Sequence, residues 1–549
     1  MKNVVLIFVF SLLSSLIFSQ QKGIPQLTSE FDKLLSEQFK SNETGASVLV
    51  TRKGQIIYQK AFGKANLELN VPMQVDNVFG IGSITKQFTA IAILQLMEQG
   101  KLKLTDEITR FIPDYPAQGH KITIEHLLTH TSGIQDYSSL QDTTGRGRID
   151  FTPREMVDYF KNRPMRFDPG TKYEYSNSGY FLLGYIIEII SGRTYAKYLE
   201  DNFFKPIDMT HSLYSSDRRI VKNRVKDYTK GENGFENADY ASVTQPYAAG
   251  SILSTTGDLF KWHQAVLSHK LVTKQTLDRA FTGYKLAGGQ QIAYGYGWRT
   301  GAVYESPSIW HGGLINGFMS MVIYLPKEDV FVAVFSNCVC NSPEIITARL
   351  AALTVGKPLE YKEVPLVKSK QPEYTGVYEN QKGQVRIISV VGDKLNSQVG
   401  RAPGFNLRAY QKDRFFIEQG LTTVAFLRND RGEIEKLVVE TLRGNEVWNK
   451  TNKPIPSNEG IAVDEKLLET YTGEYQVTPE FTFAITREQG RLFLQGAGQE
   501  RLELFAETES KFFLKVNDTQ VEFVKDGSGN VIKAIIKQGN RQADAKKVK

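Results

Sequence analysis

The chain has 549 residues, which predicts roughly three domains at about 100–200 residues each. Apolar residues make up 41% and charged residues 23% of the sequence, a globular composition that excludes long disorder. The net charge of +7 is spread without a block of Lys and Arg, so no nucleic-acid partner is expected.

The N-terminus has the pattern of a targeting segment. Lys2 gives a positive start, residues 4–18 form an uncharged apolar run, and polar residues follow from Ser19. This pattern predicts a signal peptide over residues 1–20, too short for a membrane span. No Cys follows the run to carry a lipid, and no later apolar run could cross a bilayer. We therefore expect a periplasmic or secreted protein without an integral membrane segment after signal cleavage.

Residues 21–355 are predicted to form one α+β domain. Strands from both ends of this region can share one antiparallel sheet, with the helical middle as an insertion. In chain order the sequence predicts a hairpin over 47–58, a helix over 84–99, a mostly helical stretch over 102–206, and strands over 317–324 and 330–337.

The rest of the chain is strand-like and repeats itself after a Pro-rich linker over residues 356–372. Such a repeat predicts two homologous antiparallel β-domains, barrel-like, over residues 373–452 and 461–549. The matching landmarks lie 97 residues apart: Tyr374 and Tyr471, Tyr378 and Tyr475, Leu395 and Leu492, Phe415 and Phe512, Phe426 and Phe523, Gly432 and Gly529.

Cys338 and Cys340 are the only cysteines. Two positions apart on a strand, their side chains would lie on one face at an awkward distance for a disulfide. We expect two small, half-buried apolar side chains, although export would permit their oxidation.

The first chemical motif is Ser83-Ile84-Thr85-Lys86, which follows two glycines and opens a predicted helix. Ser83 would lie at a helix N-terminus, where free backbone N–H groups can stabilise an oxyanion. Lys86 follows one turn later on the same face. A serine hydroxyl needs a neighbouring base, and a lysine serves as one when burial or nearby positive charge lowers its pKa.

Two further motifs follow along the chain. Tyr175-Ser176-Asn177 lies between a turn and an apolar helix, where it can present a phenol and an amide to a cleft. His311-Gly312-Gly313 is predicted to lie just before an edge strand, where glycines let a substrate backbone approach. His126 and His130 are four residues apart, but their surroundings favour packing and helix capping over a metal pair.

Together the three motifs resemble the signature of penicillin-recognising serine hydrolases. Their surroundings are similar to the class C β-lactamase-like branch: FGIGSITKQFTA from Phe79, ITIEHLLTHTSGI from Ile122, FDPGTKYEYSNSG from Phe167 and AGSILSTTGD from Ala249. The resemblance covers about residues 41–337 and implies a β-lactamase/transpeptidase-like sheet flanked by helices, with a helical subdomain. It also implies a serine hydrolase without metal or other cofactor.

The resemblance further implies a role for each residue. Ser83 would be the acylated nucleophile, and Lys86 with Tyr175 the proton-transfer pair. Asn177 would hydrogen-bond the substrate amide and orient Lys86. Substrate would also contact His311, Gly313 and Leu314; the backbone N–H groups of Ser83 and Leu314 would form the oxyanion hole.

His311 departs from the Lys that β-lactamases and D-Ala-D-Ala carboxypeptidases usually have at the start of the third motif. A histidine is mostly neutral at pH 7, which weakens the case for a substrate carboxylate there. The resemblance then favours the D-aminopeptidase and esterase branches, acting on small D-amino-acid peptides, amides or esters. Two alternatives stay open: a β-lactamase or D-Ala-D-Ala carboxypeptidase, and a weakly catalytic protein that binds cell-wall fragments.

Overall fold

The computed structural model describes residues 23–140, 146–357, 361–381, 383–417, 422–442, 444–456, 459–478, 481–496, 499–538 and 541–548. The predicted signal peptide lies outside these residues. Within them, no helix combines the length and the apolar character needed to span a membrane. The chain divides into two compact units, with the boundary between residues 359 and 360.

The first unit is an α+β domain. Its helices are α1 Ile24–Gln38, α2 Thr85–Glu98, α3 Ile124–Leu128, α4 Pro153–Phe160, α5 Asn177–Ser191, α6 Tyr195–Leu199, α7 Tyr247–Gly250, α8 Thr256–Leu267, α9 Lys274–Ala280 and α10 Pro343–Thr354. Its strands are β1 Ala46–Arg52, β2 Gln55–Phe62, β3 Lys64–Asn66, β4 Val71–Pro72, β5 Phe79–Gly80, β6 Leu213–Tyr214, β7 Tyr228–Gly231, β8 Gly234–Asn237, β9 Ile252–Ser254, β10 Arg299–Val303, β11 Ser306–Ile315, β12 Phe318–Leu325 and β13 Val330–Ser336.

The main sheet joins both ends of this unit, as predicted. Its six antiparallel strands run in the order β10-β11-β12-β13-β1-β2. Strand β1 pairs with β2 as the predicted hairpin and with β13, where Val50 lies opposite Val332. All seven residues of β13 are buried because both α8 and α10 pack on it, which explains the unbroken apolar run in its sequence.

The helical segments between β2 and β10 form the predicted insertion and share one core with the sheet. Helix α2 runs through this core, and nearly every residue from Thr85 to Leu96 is buried. A helix that is apolar on all sides must be surrounded by protein. The first turn of α2 is therefore fixed by its neighbours, among them α5 and α7.

The expectation of unpaired cysteines is wrong: Cys338 and Cys340 form a disulfide with a Cα–Cα distance of 5.1 Å. That distance lies within the range of about 4.4–6.8 Å usual for disulfides. The prediction assumed that the strand continues through both cysteines. Instead β13 ends at Ser336, and the chain turns so that the two side chains face each other.

The second unit contains two closed antiparallel barrels of eight strands each, which confirms the predicted pair of β-domains. A short helix precedes each barrel: α11 Gln371–Tyr374 and α12 Glu465–Tyr471. The first barrel comprises β14 Gly376–Glu379, β15 Val385–Val391, β16 Lys394–Val399, β17 Phe405–Gln411, β18 Arg414–Ile417, β19 Thr423–Arg428, β20 Ile434–Thr441 and β21 Gly444–Lys450. The second comprises β22 Gly473–Thr478, β23 Phe481–Glu488, β24 Arg491–Gly496, β25 Leu502–Ala506, β26 Lys511–Phe513, β27 Thr519–Lys525, β28 Val531–Gln538 and β29 Arg541–Lys547.

The sequence repeat reappears as a repeat of contacts. The buried Tyr378 hydroxyl donates to the Tyr374 carbonyl at 2.7 Å, and the buried Tyr475 hydroxyl donates to the Tyr471 carbonyl at 2.8 Å. Each bond ties a barrel's first strand to the helix before it. The barrels also close at equivalent places, because Tyr378 pairs with Lys450 and Tyr475 with Lys547.

We predict that Tyr378→Phe and Tyr475→Phe each destabilise their own barrel by about 1–3 kcal/mol, because each leaves a buried carbonyl without its donor. Hydrogen-exchange mass spectrometry in increasing urea resolves the two barrels within one chain. In each variant the unchanged barrel serves as the control. Equal protection of both barrels in either variant would contradict the prediction.

Candidate functional site

Ser83 lies in a tight turn between β5 and α2, where strand β11 comes unusually close. Gly82 has φ +49, and a Cβ there would meet the Leu314 backbone nitrogen at 2.6 Å. A Cβ on Gly313 would lie 1.9 Å from the Ile81 carbonyl oxygen and 3.2 Å from the Ser83 backbone nitrogen. Only glycines permit this close approach of the two backbones. It places the backbone nitrogen of Leu314 beside the turn that carries Ser83.

Lys86 joins the first two motifs. Its buried ammonium donates to Ser83 Oγ at 3.0 Å, to Asn177 Oδ1 at 2.9 Å and to the Ala249 carbonyl at 2.8 Å. These three acceptors match the three protons of an ammonium group. Loss of one proton frees a lone pair that can accept from the Ser83 hydroxyl.

The pKa of Lys86 is lowered to about 7, mainly because burial disfavours the charged amine. The nearby Asp136 carboxylate raises this pKa, and the Arg299 guanidinium lowers it. An amine with a pKa near 7 is present in both protonation states at neutral pH. This is the condition that a lysine must meet to act as a general base.

Tyr175 is partly buried among aromatic and cationic groups. Its phenol is close enough to Ser83 for that hydroxyl to act on its pKa, and Lys86 Nζ lies 4.8 Å from its ring centroid. Burial raises its pKa above the usual value, while the Ser83 contact and Arg299 act in the opposite direction. The phenol is therefore protonated at neutral pH.

Arg299 lies 5.3–5.4 Å from three ring centroids, those of Tyr175, Tyr294 and Trp310. An arginine surrounded by aromatic faces keeps its charge with little water around it. It supplies a fixed positive charge behind Tyr175 and near Lys86.

Asn177 begins helix α5 and bridges two charged groups. Its Oδ1 accepts from Lys86, while its Nδ2 donates to Asp136 Oδ2 and to Ser138 Oγ, each at 3.2 Å. The side-chain amide is thereby fixed in one orientation with its oxygen toward Lys86. The orienting role that the family resemblance implies for Asn177 stays a prediction.

His311 and Gly313 lie within β11, so the expectation that the third motif precedes an edge strand is wrong. Pairing with β12 on one side holds the His-Gly-Gly stretch extended despite its low strand propensity, while β10 pairs only with the preceding residues 306–310 of the same strand. The His311 ring is buried: Nδ1 bonds the Gly312 carbonyl at 2.7 Å, and Nε2 bonds the Tyr294 hydroxyl at 3.0 Å. Burial, Arg299 and Lys86 hold the pKa of His311 well below its usual value, so the ring is neutral.

A cavity of about 380 Å³ opens beside Ser83, Asn177 and Leu314. The described residues that line it include no charged side chain. Its polar groups are mainly hydroxyls and two amides, among them Ser138, Ser242 and Gln245. Its apolar wall consists of Tyr137, Leu140, Phe151, Met156, Tyr159 and Ile315.

The two histidines of the helical region have separate roles. His126 completes a capping box with Thr123 at the start of α3, as the capping interpretation expected. His130 instead contacts the loop that carries Tyr175. Among the described residues, no three His, Cys, Asp or Glu side chains gather in a group that could hold a metal ion.

The sequence motifs identified Ser83, Lys86, Tyr175 and Asn177, which the structure brings together. They missed Asp136 and Arg299, since neither belongs to the three motifs. Ala249 belongs to a segment that flanks the motifs, and its carbonyl contributes the third acceptor of Lys86.

Two family models match the chain. One, described as Beta-lactamase, matches residues 31–356, and the other, a domain of unknown function (DUF3471), matches residues 458–547. The first range contains every residue of the candidate site. The second range contains all eight strands of the second barrel.

Similar proteins span much of the chain. A penicillin-binding protein of Bacillus subtilis (strain 168) is 28% identical over 420 residues, 71% of this chain and 91% of its own. The solved structure of an octameric penicillin-binding protein homologue from Pyrococcus abyssi is 25% identical, with a TM-score of 0.54, and covers 78% of this chain and 100% of its own. A D-stereospecific amidohydrolase from Streptomyces sp. is 25% identical with a TM-score of 0.50, covering 56% of this chain and 94% of its own.

We predict that Ser83 reacts with a fluorophosphonate at a rate that rises with pH through about 7, as Lys86 loses its proton. Arg299→Gln should move this midpoint to higher pH, because removing a like charge raises the pKa of Lys86. Labelling rates across a pH series measure both midpoints. Arg279→Gln is the control, since that guanidinium pairs with Glu125 at 3.1 Å, and it should leave the midpoint in place. An unchanged midpoint in Arg299→Gln would exclude this electrostatic role.

Proposed function

Because this chain belongs to the Beta-lactamase family, we propose that it is an exported serine hydrolase that acts through an acyl-enzyme on Ser83. It would cleave amide or ester bonds in small molecules. The favoured substrates are small peptides or amides of the D-amino-acid type, and esters are the other class. The observation that carries the proposal is the 3.0 Å hydrogen bond between Ser83 and a buried lysine with a pKa of about 7. Export rests on the pattern of residues 1–20 alone.

Acylation begins when neutral Lys86 accepts the Ser83 proton and the serine oxygen attacks the carbonyl carbon of the substrate. Negative charge then develops on the carbonyl oxygen. The backbone N–H groups of Ser83 and Leu314 donate to this oxyanion from a frame that the two close glycines hold rigid. Loss of one such donor typically costs on the order of 10²–10³ in rate.

Departure of the leaving group requires a proton, which the protonated Tyr175 phenol donates. Lys86, now charged, returns a proton to the phenolate, whose ring lies 4.8 Å from Lys86 Nζ. Water then attacks the acyl carbon of the ester on Ser83. The same groups move protons in the reverse order, so Ser83 leaves as a hydroxyl and the site is restored.

The cavity beside Ser83 favours an uncharged, apolar side chain on the acyl group of the substrate. Phe151, Met156 and Tyr159 form part of its wall, and a volume of about 380 Å³ accommodates a benzyl or branched aliphatic side chain. A charged side chain would lose water there without gaining an ionic partner among the described lining residues.

The third motif argues against a substrate carboxylate next to the scissile bond. The His311 ring is neutral and both of its nitrogens already have protein partners. Instead Asp136, bonded to Asn177 at 3.2 Å, offers a carboxylate beside the amide-binding residue. This arrangement suits a free amino group on the substrate, as in a D-amino-acid amide, and the likeness to a D-stereospecific amidohydrolase supports the same choice.

One alternative is a β-lactamase or D-Ala-D-Ala carboxypeptidase, which the likeness to a penicillin-binding protein supports and the neutral His311 opposes. Another is a weakly catalytic protein that binds cell-wall fragments. Against it stands the hydrogen-bonded set of Ser83, Lys86 and Asn177, since a binding protein has no need to bury a lysine against a serine.

We predict that incubation with a fluorophosphonate, a penicillin, a p-nitrophenyl ester and D-alanine p-nitroanilide gives a Ser83-dependent adduct or turnover. Intact-protein mass spectrometry detects the adduct and absorbance the turnover. Ser83→Ala should abolish both while thermal unfolding stays close to wild type, because Ser83 acts as a nucleophile. No reaction of the folded wild type with the whole panel would favour the binding protein.

A second prediction concerns the acyl pocket. D-phenylalanine amide should have a kcat/KM about tenfold or more above D-alanine amide, because a buried benzyl group adds roughly 2 kcal/mol of apolar contact. D-aspartate α-amide should be the poorest of the three. Steady-state kinetics with each amide and its L-enantiomer give both the size and the stereochemical preference. A higher kcat/KM for the alanine amide would contradict an apolar acyl pocket.

A further inference from the structure

His130 is the buried ionisable group of the site for which the proposed mechanism has no use. It is 1% exposed and follows the end of α3, in a turn with φ +57. A left-handed backbone is uncommon for a residue other than glycine and has a cost that its surroundings must offset. Among the contacts of His130 are two hydrogen bonds and a ring contact with the segment that carries Tyr175.

The backbone on both sides of Tyr175 is bound to this one residue. The Glu174 N–H donates to the His130 carbonyl at 3.0 Å, and the Ser176 N–H donates to His130 Nδ1 at 3.1 Å. The imidazole also packs against the phenol, with ring centroids 4.2 Å apart and an angle of 33° between the planes.

We propose that His130 is a positioning residue for Tyr175: it holds the backbone N–H groups of the residues on either side, Glu174 and Ser176, and one face of the tyrosine ring. This inference rests on the proposed function, in which the Tyr175 phenol donates to the leaving group. A shift of the phenol by about 1 Å would misalign that proton transfer and can cost about 10²-fold in rate.

The ring acts by position and transfers no proton. Because Nδ1 accepts from Ser176, the single proton of the neutral ring resides on Nε2. Nε2 has no hydrogen-bond partner among the described residues, and its ring lies edge-on to Tyr294 with centroids 4.6 Å apart. Burial beside Lys86, Arg299 and His311 holds the pKa of His130 well below its usual value. A proton on Nδ1 would oppose the Ser176 N–H, so the neutral state is the one that holds the loop.

Two amide variants separate this role from simple packing. In His130→Asn the side-chain oxygen can take the place of Nδ1, and Asn tolerates the left-handed backbone. In His130→Gln the amide extends to the place of Nε2 and the Nδ1 acceptor is lost. The matched control is His126→Gln, which removes a similar acceptor for a backbone N–H, that of Thr123 at 3.2 Å, outside the Tyr175 loop.

The experiment measures two quantities on the full-length chain. The first is the single-turnover acylation rate with a p-nitrophenyl ester, resolved into a maximal rate and a binding constant. The second is amide hydrogen exchange in peptides that contain Ser176. We expect His130→Gln to lower the maximal rate about 10²-fold with binding within about twofold of wild type, and to speed exchange at Ser176. His130→Asn should have a maximal rate at least tenfold above that of His130→Gln and should keep most of the protection at Ser176. His126→Gln should have the maximal rate and the exchange protection of wild type.

Equal losses in the Asn and Gln variants, or a wild-type rate in His130→Gln, would overturn the positioning role. Failure of the proposed function gives a different result. If wild type forms no Ser83 adduct, the hydrolase is excluded, and the exchange at Ser176 alone then decides whether His130 holds the loop.

Discussion

An ammonium group taken out of water is stable only where protein oxygens replace its hydration, and the site is arranged around that requirement for Lys86. Ser83, Asn177 and the Ala249 carbonyl provide the three acceptors, and each comes from a different part of the chain. Burial makes the charged form costly enough to bring the pKa to about 7. Desolvation of the amine therefore lowers the stability of the folded protein, but it also makes the lysine a base that is active at neutral pH.

Around this amine the protein places groups whose charge states are fixed at neutral pH by burial or by their neighbours. Tyr175 stays protonated, His311 and His130 stay neutral, and Arg299 stays charged among aromatic rings. The pKa values of these neighbours lie far from 7. Among these groups, Lys86 is therefore the one whose protonation state changes near neutral pH. The aromatic layer therefore has an electrostatic as well as a packing role.

The two barrels share the same strand arrangement and aromatic landmarks but differ in the side chains of their interiors. The aromatic landmarks and the tyrosine-to-carbonyl bonds recur 97 residues apart. Arg386 and Trp448 face the interior of the first barrel, with 4.6 Å between the guanidinium and the indole centroid. The equivalent positions of the second barrel are Phe483 and Ala545. Between the barrels, Arg401 lies 3.7 Å from the Phe513 ring centroid and pairs with Glu507 at 2.5 Å.

The sequence by itself determined four strands of the main sheet (β1, β2, β12 and β13), the central helix and the barrel repeat, because alternation, apolar runs and repeated landmarks are local or periodic signals. Motif order and flanks likewise identified Ser83, Lys86, Tyr175 and Asn177. Only the tertiary structure decided the disulfide, the extended state of His311-Gly312-Gly313 and the contacts of Asp136, His130 and Arg299. Each of these depends on partners distant in the chain or on where a strand ends. No local pattern records such distances, because they are fixed by how the sheet and the helical insertion pack together.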